Sequence, residues 1–295
     1  MGLKISDFKY KFGYNNGVPN WCPRCGNFGI IMAIRRALVN LEFDPKDAVL
    51  IGGIGCSGKL PQWVVSYGFH ALHGRTLPVA TGIKLANHEL TVIAHAGDGD
   101  CYGIGLGHLI HSIRRNLDIT CIVHNNQVYG LTTGQTSPTS LKGFKTKSTP
   151  EGVIELPINP IALALSSDGA FVARGYAGDS KHLTELVTEG IKHRGFALID
   201  TLQPCVTFNR VNTYEWFKER VYKLEEIGHD FTDKNAAFEK AFEWEKTNSE
   251  KIPIGIFYKE TRPTYGDENP QIAEKPLVKH DITKIDIEPV LNMLI

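Results

Sequence analysis

The sequence predicts an α/β fold with a mostly parallel sheet and helices on both of its faces. Two observations lead to this prediction. Between residues 48 and 204, short apolar runs alternate with amphipathic runs of helical period, which is the pattern of successive strand–helix–strand units. Within residues 91–123, the short spacing of strand, helix and strand favours a right-handed parallel crossover.

Each element is assigned from its own local pattern. Helices are predicted where apolar residues recur every three or four positions, as at Ile30, Ile34, Leu38 and Leu41. Strands are predicted where short apolar runs end at glycine or polar residues. In chain order the predictions are helix 30–41, a strand from 48, a helix through 80–85, strand 91–96, helix 102–115, strand 119–123, helix 161–166, strand 171–176, helix 180–193, strand 196–202, helix 236–246 and strand 252–258.

Composition limits the class of protein. The 295 residues are 42% hydrophobic with a formal net charge of zero, so we expect a large core and no attraction to nucleic acid or membranes. No apolar run approaches the roughly 18 residues of a membrane span, and residues 1–14 lack the apolar stretch of a secretory signal. We therefore expect a cytoplasmic protein. Residues 1–221 are predicted to form the main domain. Residues 222–295, richer in charge and proline, are predicted to be an extension that packs on that domain or on a partner.

Three interpretations compete for the cysteine pair at Cys22 and Cys25, which precedes the first helix. A metal or iron–sulfur site, a redox dithiol and a structural pair all fit the spacing. Cys56 and Cys205 each follow a predicted strand, so both fall at the carboxyl edge of the sheet. If the N-terminal pair folds over that edge, four cysteines converge there. The remaining two, at positions 101 and 121, are predicted to be packed thiols without a ligand.

The Gly97-Asp98-Gly99 turn and Asn126 follow neighbouring predicted strands. The carboxyl ends of parallel strands share one edge, where doubly wound folds bind ligands. Carboxylate and amide oxygens suit Mg²⁺, which fills its other positions with phosphate and water. The glycines allow a phosphate to approach the backbone closely. The pattern therefore predicts a magnesium diphosphate site. Taken by itself, however, the GDG sequence is also explained by a tight strand-to-helix turn that binds no ligand.

Other polar residues near this edge have two interpretations each. Lys59 is either a solvated surface cation or a group beside an anionic substrate. His73 either contacts a cofactor or is structural. Residues 127–152 form a long loop rich in threonine, serine, glycine and lysine, which either covers a diphosphate or is solvated. Thr132, Thr133 and Thr136 offer hydroxyls within it.

Together these motifs resemble the β subunit of 2-oxoacid:ferredoxin oxidoreductases. The motifs are WCPRCG, GIGCSGKLP, HGRTLPVATGIKLA, GDGD, HNNQVYGLTTGQTSPT and LQPC, and the resemblance spans about residues 8–210. Within it, the GDG to NN unit is similar to the signature of thiamine diphosphate enzymes. The family usually has CPGC where this chain has Arg24, so the turn there is expected to differ locally.

The resemblance implies a thiamine diphosphate-binding fold, one 4Fe–4S cluster and Mg²⁺. It implies coenzyme A-dependent oxidative decarboxylation of a 2-oxoacid, with electrons passing through the cluster to ferredoxin. An α (or fused γα) subunit would complete the cofactor site and supply the glutamate that activates the cofactor. Two other functions remain as alternatives, namely a thiamine diphosphate carboligase or decarboxylase subunit and a non-catalytic iron–sulfur electron-transfer protein.

The resemblance also implies a role for individual residues. The cluster ligands would be Cys22, Cys25, Cys56 and Cys205. Mg²⁺ would bind Asp98, Asn126 and the backbone carbonyl of Val128. Lys59 and Leu131 would line the substrate pocket. The thiamine diphosphate contacts would be Gly97, Asp98, Gly99, Asp100, Asn126, His73 and Thr132.

Overall fold

The computed structural model describes Lys4 and residues 18–294. Its centre is an eight-stranded sheet in the order β2-β1-β3-β4-β8-β7-β10-β9. The strands are β1 (Ala48–Gly52), β2 (Tyr67–His70), β3 (Thr91–Gly97), β4 (Thr120–Asn125), β7 (Phe171–Tyr176), β8 (Ala197–Leu202), β9 (Val221–Lys223) and β10 (Ile252–Lys259). A separate two-stranded hairpin consists of β5 (Val128–Tyr129) and β6 (Gln135–Thr136).

The sheet confirms the predicted mostly parallel arrangement. Each neighbouring pair is parallel except β7 with β10, which is antiparallel. The central strands β1, β4, β7 and β8 are buried along their whole length, as expected for parallel strands covered on both faces. Their carboxyl ends therefore meet at one edge of the sheet.

Helices cover both faces, as predicted. One face packs against α2 (Thr76–Ala86), α3 (Leu106–Arg114), α4 (Pro160–Ser166) and α7 (Lys234–Ala241) through the larger core cluster. The other face packs against α1 (Asn27–Asn40), α5 (Ser180–Lys192) and a 3₁₀ segment, Ser57–Trp63. Alternating residues of β4 show the division, because Cys121 and Val123 face the first cluster and Ile122 faces the second. The remaining short helices are α6 (Tyr214–Lys218), α8 (Glu243–Lys246), α9 (Pro270–Ala273) and α10 (Glu288–Asn292).

Local sequence explains where several elements begin. Asn159 caps α4 by accepting a hydrogen bond from the backbone of residue 162, and Pro160 occupies the first helical position. Asp179 caps α5 in the same way. These caps fix the helix starts close to the predicted ones at 161 and 180.

Two predicted helices differ from the structure. The segment predicted as one helix over 236–246 is broken at Phe242, which separates α7 from α8. The helix predicted over 102–115 is α-helical only from Leu106, because a π-helical segment, Gly99–Ile104, comes first. Single π-helical turns frequently mark functional sites, and this one follows the GDG motif directly.

The sheet continues past the boundary that we predicted at residue 221. That position lies in β9, and the residues after it supply two strands of the main sheet. The division into a domain and an extension stays a prediction. Residues 260–294 have only short helical turns. No helix within the described part of the chain is both long enough and apolar enough to cross a membrane.

Candidate functional site

A cavity of about 290 Å³ lies at the carboxyl ends of β3 and β4. It brings together the residues that the GDG and NN motifs single out, although they are far apart in the chain. The lining includes each residue predicted to contact thiamine diphosphate or Mg²⁺ and one predicted cluster ligand: Cys56, His73, Gly97, Asp98, Gly99, Asp100, Asn126, Val128 and Thr132.

Asp98 is the buried carboxylate of this cavity, with 3% of the residue exposed. Its Oδ2 accepts hydrogen bonds from the hydroxyls of Ser137, at 2.5 Å, and Thr139, at 2.6 Å. Burial raises the pKa of Asp98 to about 6, although both hydroxyls act to lower it. No Lys, Arg or His among the described residues forms an ion pair with Asp98. A buried carboxylate of this kind is suited to a bound cation.

Ser137 and Thr139 are site residues that the sequence reasoning missed. The hydroxyls predicted from the same loop are those of Thr132, Thr133 and Thr136, and none of them donates a hydrogen bond to Asp98. The available signal was the Ser-Pro-Thr-Ser run from residue 137. This run does not by itself identify the residues that contact Asp98, because local sequence does not determine where a long loop returns to the sheet.

The backbone around Asn126 has an unusual conformation that shapes the cavity wall. Gln127 has a φ of 58°, in the left-handed region that non-glycine residues rarely adopt. It is held there because its side-chain amide donates to Thr139 O and its carbonyl accepts from the Ser140 hydroxyl. Asn126 and Val128 consequently both line the cavity. Strain stabilised by surrounding contacts is typical of ligand-binding loops.

Of the two glycines of GDG, Gly99 leaves no room for a side chain, whereas a Cβ on Gly97 would make only ordinary contacts. A Cβ added to Gly99 would overlap the Tyr129 ring, and the Tyr129 hydroxyl donates to Gly99 O at 3.2 Å. The neighbouring Asp100 accepts hydrogen bonds from Gly74 N at 2.5 Å and from the Thr76 hydroxyl at 3.1 Å. Its carboxylate also lies 3.1 Å from His73 Nδ1. Asp100 thus holds the His73 turn beside the GDG turn, which explains why both line the cavity.

The cysteines converge at the same edge. The Sγ atoms of Cys205 and Cys56 lie 3.6 and 3.8 Å from the position that a Cβ on Gly130 would take. Burial raises the pKa of the Cys25 thiol to about 12, and repulsion from Cys205, Cys56 and Cys22 adds to this rise. Burial, with repulsion from Cys205 and Cys22, also raises the pKa of the Cys56 thiol, whereas the positive charge of Lys59 acts to lower it. The repulsive part of each pKa shift, which is smaller than the effect of burial, acts between thiols that lie near one another.

Hydrogen bonds attach the N-terminal cysteine turn to the sheet edge. Gly26 N donates to Pro204 O at 3.2 Å, and the Gln203 side-chain amide donates to Cys25 Sγ at 3.3 Å. Trp21 Nε1 donates to Cys56 O at 2.7 Å. Cys22 and Cys25 therefore fold over the edge of the sheet, as the predicted convergence of the four cysteines requires. Cys101 and Cys121 are buried and contact each other within the core, away from this group.

Arg24 stands where the family usually has glycine, and its φ is 66°. The arginine adopts the left-handed conformation that glycine would adopt freely. A cost of about 1 kcal/mol is typical for such a residue. We expected this turn to differ locally from the family. The difference is in the side chain, because the backbone of Arg24 keeps a conformation that suits glycine.

The two predicted substrate-pocket residues lie in different places. Leu131 lines the cavity and is 47% exposed. Lys59 is partly buried and does not line the cavity. The positive charge of Lys59 acts to lower the pKa of the Cys56 thiol, so Lys59 lies beside the cysteine group. Within residues 18–294, no three His, Cys, Asp or Glu side chains cluster as they do around a single metal ion.

Comparison with known proteins first identifies the class. Residues 53–201 match the family described as "Thiamine pyrophosphate enzyme, C-terminal TPP binding domain". Residues 205–274 match a second family, described as the C-terminal part of the beta subunit of pyruvate ferredoxin oxidoreductase. The first match covers the cavity and the strands that form it, so this part of the chain is a thiamine diphosphate-binding domain.

Individual relatives narrow the class to one family. The chain is 48% identical over 291 residues to a 2-oxoacid:ferredoxin oxidoreductase subunit beta of Saccharolobus solfataricus, covering 93% of this chain and 94% of the relative. It is 50% identical over 259 residues to the corresponding subunit of a Sulfolobus species, covering 83% and 84%. A solved 2-oxoglutarate:ferredoxin oxidoreductase from Magnetococcus marinus superimposes with a TM-score of 0.88 at 36% identity, covering 99% of this chain and 96% of that one. The chain belongs to the family of 2-oxoacid:ferredoxin oxidoreductase β subunits.

Proposed function

We propose that the chain catalyses, with an α-type partner, the coenzyme A-dependent oxidative decarboxylation of a 2-oxoacid and passes the electrons through a 4Fe–4S cluster to ferredoxin. One observation carries this proposal. Cys56 lines the same cavity as Asp98 and Asn126, so a proposed cluster ligand and two proposed Mg²⁺ ligands lie around one cavity. The solved relative was obtained with 2-oxoglutarate, coenzyme A and succinyl-CoA, which supports the class of substrate.

Asp98, Asn126 and the backbone carbonyl of Val128 are the proposed Mg²⁺ ligands. They are hard oxygen donors, and the buried Asp98 carboxylate has no cationic side chain paired with it in the described part of the chain, so the residues present fit the metal. Thiamine diphosphate, when bound, supplies the carbanion stabilisation needed to release carbon dioxide from a 2-oxoacid. The Gly99 turn, against which the Tyr129 ring packs closely, would help to position it.

The cysteine group fits an iron–sulfur cluster. Thiols whose pKa is raised by burial become thiolates when a metal compensates the charge. A cluster spreads its four ligands over several irons, so it does not need the compact set that surrounds a single ion. The proposed ligands are Cys22, Cys25, Cys56 and Cys205. Cys22 is exposed, which places one ligand at the surface where electrons would leave.

The cavity also indicates why a partner is needed. No glutamate lines it among the described residues, and its two aspartates are already engaged by hydrogen bonds. We propose that the α (or fused γα) subunit supplies the activating carboxylate. Leu131 is proposed to contact the 2-oxoacid at the cavity mouth. Lys59 lies outside the cavity, so its proposed contact with the substrate carboxylate requires the substrate to extend toward Cys56.

The decisive experiment is anaerobic purification of the chain with its α-type partner, followed by iron analysis and viologen reduction with a panel of 2-oxoacids plus coenzyme A. We expect about four irons per β chain and reduction that depends on both substrates. Cys56→Ser should lose the cluster, whereas Cys101→Ser, which alters a packed core thiol, should keep it. An iron-free complex, or equal loss in both variants, would refute the cluster assignment. An active complex that decarboxylates without reducing viologen would support the carboligase or decarboxylase alternative.

A further inference from the structure

A second cavity, of about 320 Å³, opens on the outer side of the cysteine group. Its lining comes from the N-terminal cysteine turn and from the segment after β8: Pro23, Arg24, Pro204, Cys205, Val206, Asn209, Arg210, Thr213, Tyr214 and Glu215. A proposed cluster ligand, Cys205, therefore forms part of its wall. Cys22, the exposed cysteine, belongs to the same turn as Arg24. This is where the surface approaches the cysteine group.

Two arginines at this surface have no partner within residues 18–294. Arg24 and Arg210 are both exposed, and neither forms an ion pair or a hydrogen bond with another described residue. The other charged residue in the lining is Glu215, which is exposed; hydrogen bonds from its own backbone and from Thr213 lower its pKa, and the charge of Arg24 adds a smaller effect. The lining thus has two cations against one anion. Val206 and Val211 beside them are 38% and 49% exposed, so apolar surface accompanies the charge.

The backbone at Arg24 supports a role for its side chain. A φ of 66° is unfavourable for any residue with a Cβ and suits glycine. The arginine side chain is exposed and forms no ion pair with the described residues, so no contact in that part of the chain offsets this cost. A contact with another molecule would explain why a long cationic side chain occupies this position.

We propose that Arg24, Arg210 and the two exposed valines form a docking surface for an acidic one-electron carrier protein. This inference rests on the proposed cluster. One electron passes from the reduced cluster to the docked carrier, so the cluster is oxidised and the carrier is reduced by one electron, and no bond changes. Two exposed cations beside exposed apolar residues attract an acidic partner and favour its docking next to the cysteine group.

The test compares ferredoxin with methyl viologen as acceptor in the anaerobic holoenzyme. We expect Arg24→Gly and Arg210→Gln each to lower kcat/KM for an acidic ferredoxin roughly three- to tenfold at low salt and to flatten its salt dependence. The rate with viologen, a small dication that needs no acidic docking contact, should stay unchanged. Glycine suits the backbone of residue 24, so this variant should fold, and its iron content checks the cluster. Arg115→Gln is the matched control, because Arg115 is exposed at the end of α3 and outside this cavity.

Three outcomes would overturn the docking surface. The first is unchanged kinetics with ferredoxin, and the second is an equal loss in the Arg115 control. The third is a shifted midpoint potential with unchanged salt dependence, which would mean that Arg24 tunes the cluster instead of binding a carrier. Failure of the proposed function is distinguishable, because the unmodified complex would then lack iron and would not reduce viologen.

Discussion

The hydroxyl of Thr139 should control how tightly the Asp98 site binds Mg²⁺ and thiamine diphosphate. Thr139→Val keeps the shape of the side chain but removes a donor 2.6 Å from the buried Asp98 Oδ2. This hydrogen bond is present with or without the metal, so it acts on Mg²⁺ affinity by favouring the charged carboxylate over the protonated one. A hydrogen bond to a charged group contributes about 1.5–3 kcal/mol, so losing it raises the pKa of Asp98, already about 6, and protons compete better with the metal. We therefore expect a loss of roughly two- to tenfold in Mg²⁺-dependent cofactor affinity at pH 7.

The measurement is a titration of the cofactor-free complex with thiamine diphosphate at fixed Mg²⁺, followed by tryptophan fluorescence or calorimetry. Ser137→Ala should weaken binding in the same direction, and higher pH should partly restore both variants. Thr136→Val is the control, because Thr136 lies in the same loop, in β6, and its hydroxyl donates no hydrogen bond to Asp98. Wild-type affinity in the Thr139 variant, or the same loss in the Thr136 variant, would show that these hydroxyls do not position the carboxylate.

Three further predictions concern packing, buried polar contacts and pH. Gly99→Ala should reduce cofactor affinity and lower stability by about 1–3 kcal/mol, because its methyl group would overlap the Tyr129 ring; Tyr129→Leu in the same chain should restore part of the loss in a denaturant titration, and no restoration would contradict the steric reason. Tyr102→Phe should cost about 1.5–3 kcal/mol of unfolding free energy, since it removes a 3.0 Å hydrogen bond to the fully buried Asp200; a change near zero would refute this. Burial lowers the pKa of His193 to about 4, so its contribution to stability is complete above pH 6.5 and is lost, by at most about 1.4 kcal/mol per pH unit, as the pH falls toward 4; His193→Gln should make that loss shallower, and parallel curves would count against it.

The sequence was sufficient to predict which residues meet at the sheet edge. The physical reason is that parallel strands place their carboxyl ends together, so Asp98 after β3 and Asn126 after β4 had to be neighbours once the crossover was assigned. The same reasoning placed Cys56 and Cys205 there. Convergence of the N-terminal pair was only conditional, because nothing in residues 20–26 specifies contact with Gln203 and Pro204.

Features set by long-range contacts were beyond the sequence. Helical period continues through Phe242, and only the packed structure shows the break there. The apolar run 252–258 predicts the strand that the structure has as β10, but it does not indicate which strands β10 pairs with. The pairing of β10 with β7 and β9 depends on distant residues, so it leaves no local signal.

The buried Asp200 links several elements around the edge. Its carboxylate, fully buried in β8, accepts hydrogen bonds from Tyr102, Asn125 and Arg174 at 3.0–3.1 Å. These partners lie in the π-helical segment that begins at Gly99, at the end of β4 and in β7. Removing one partner of a buried charge is costly, so β4, β7, β8 and the segment that follows Asp98 are held together through a single carboxylate. Because Tyr102 belongs to the π-helical segment, this irregular segment is tied to the sheet that carries the candidate site.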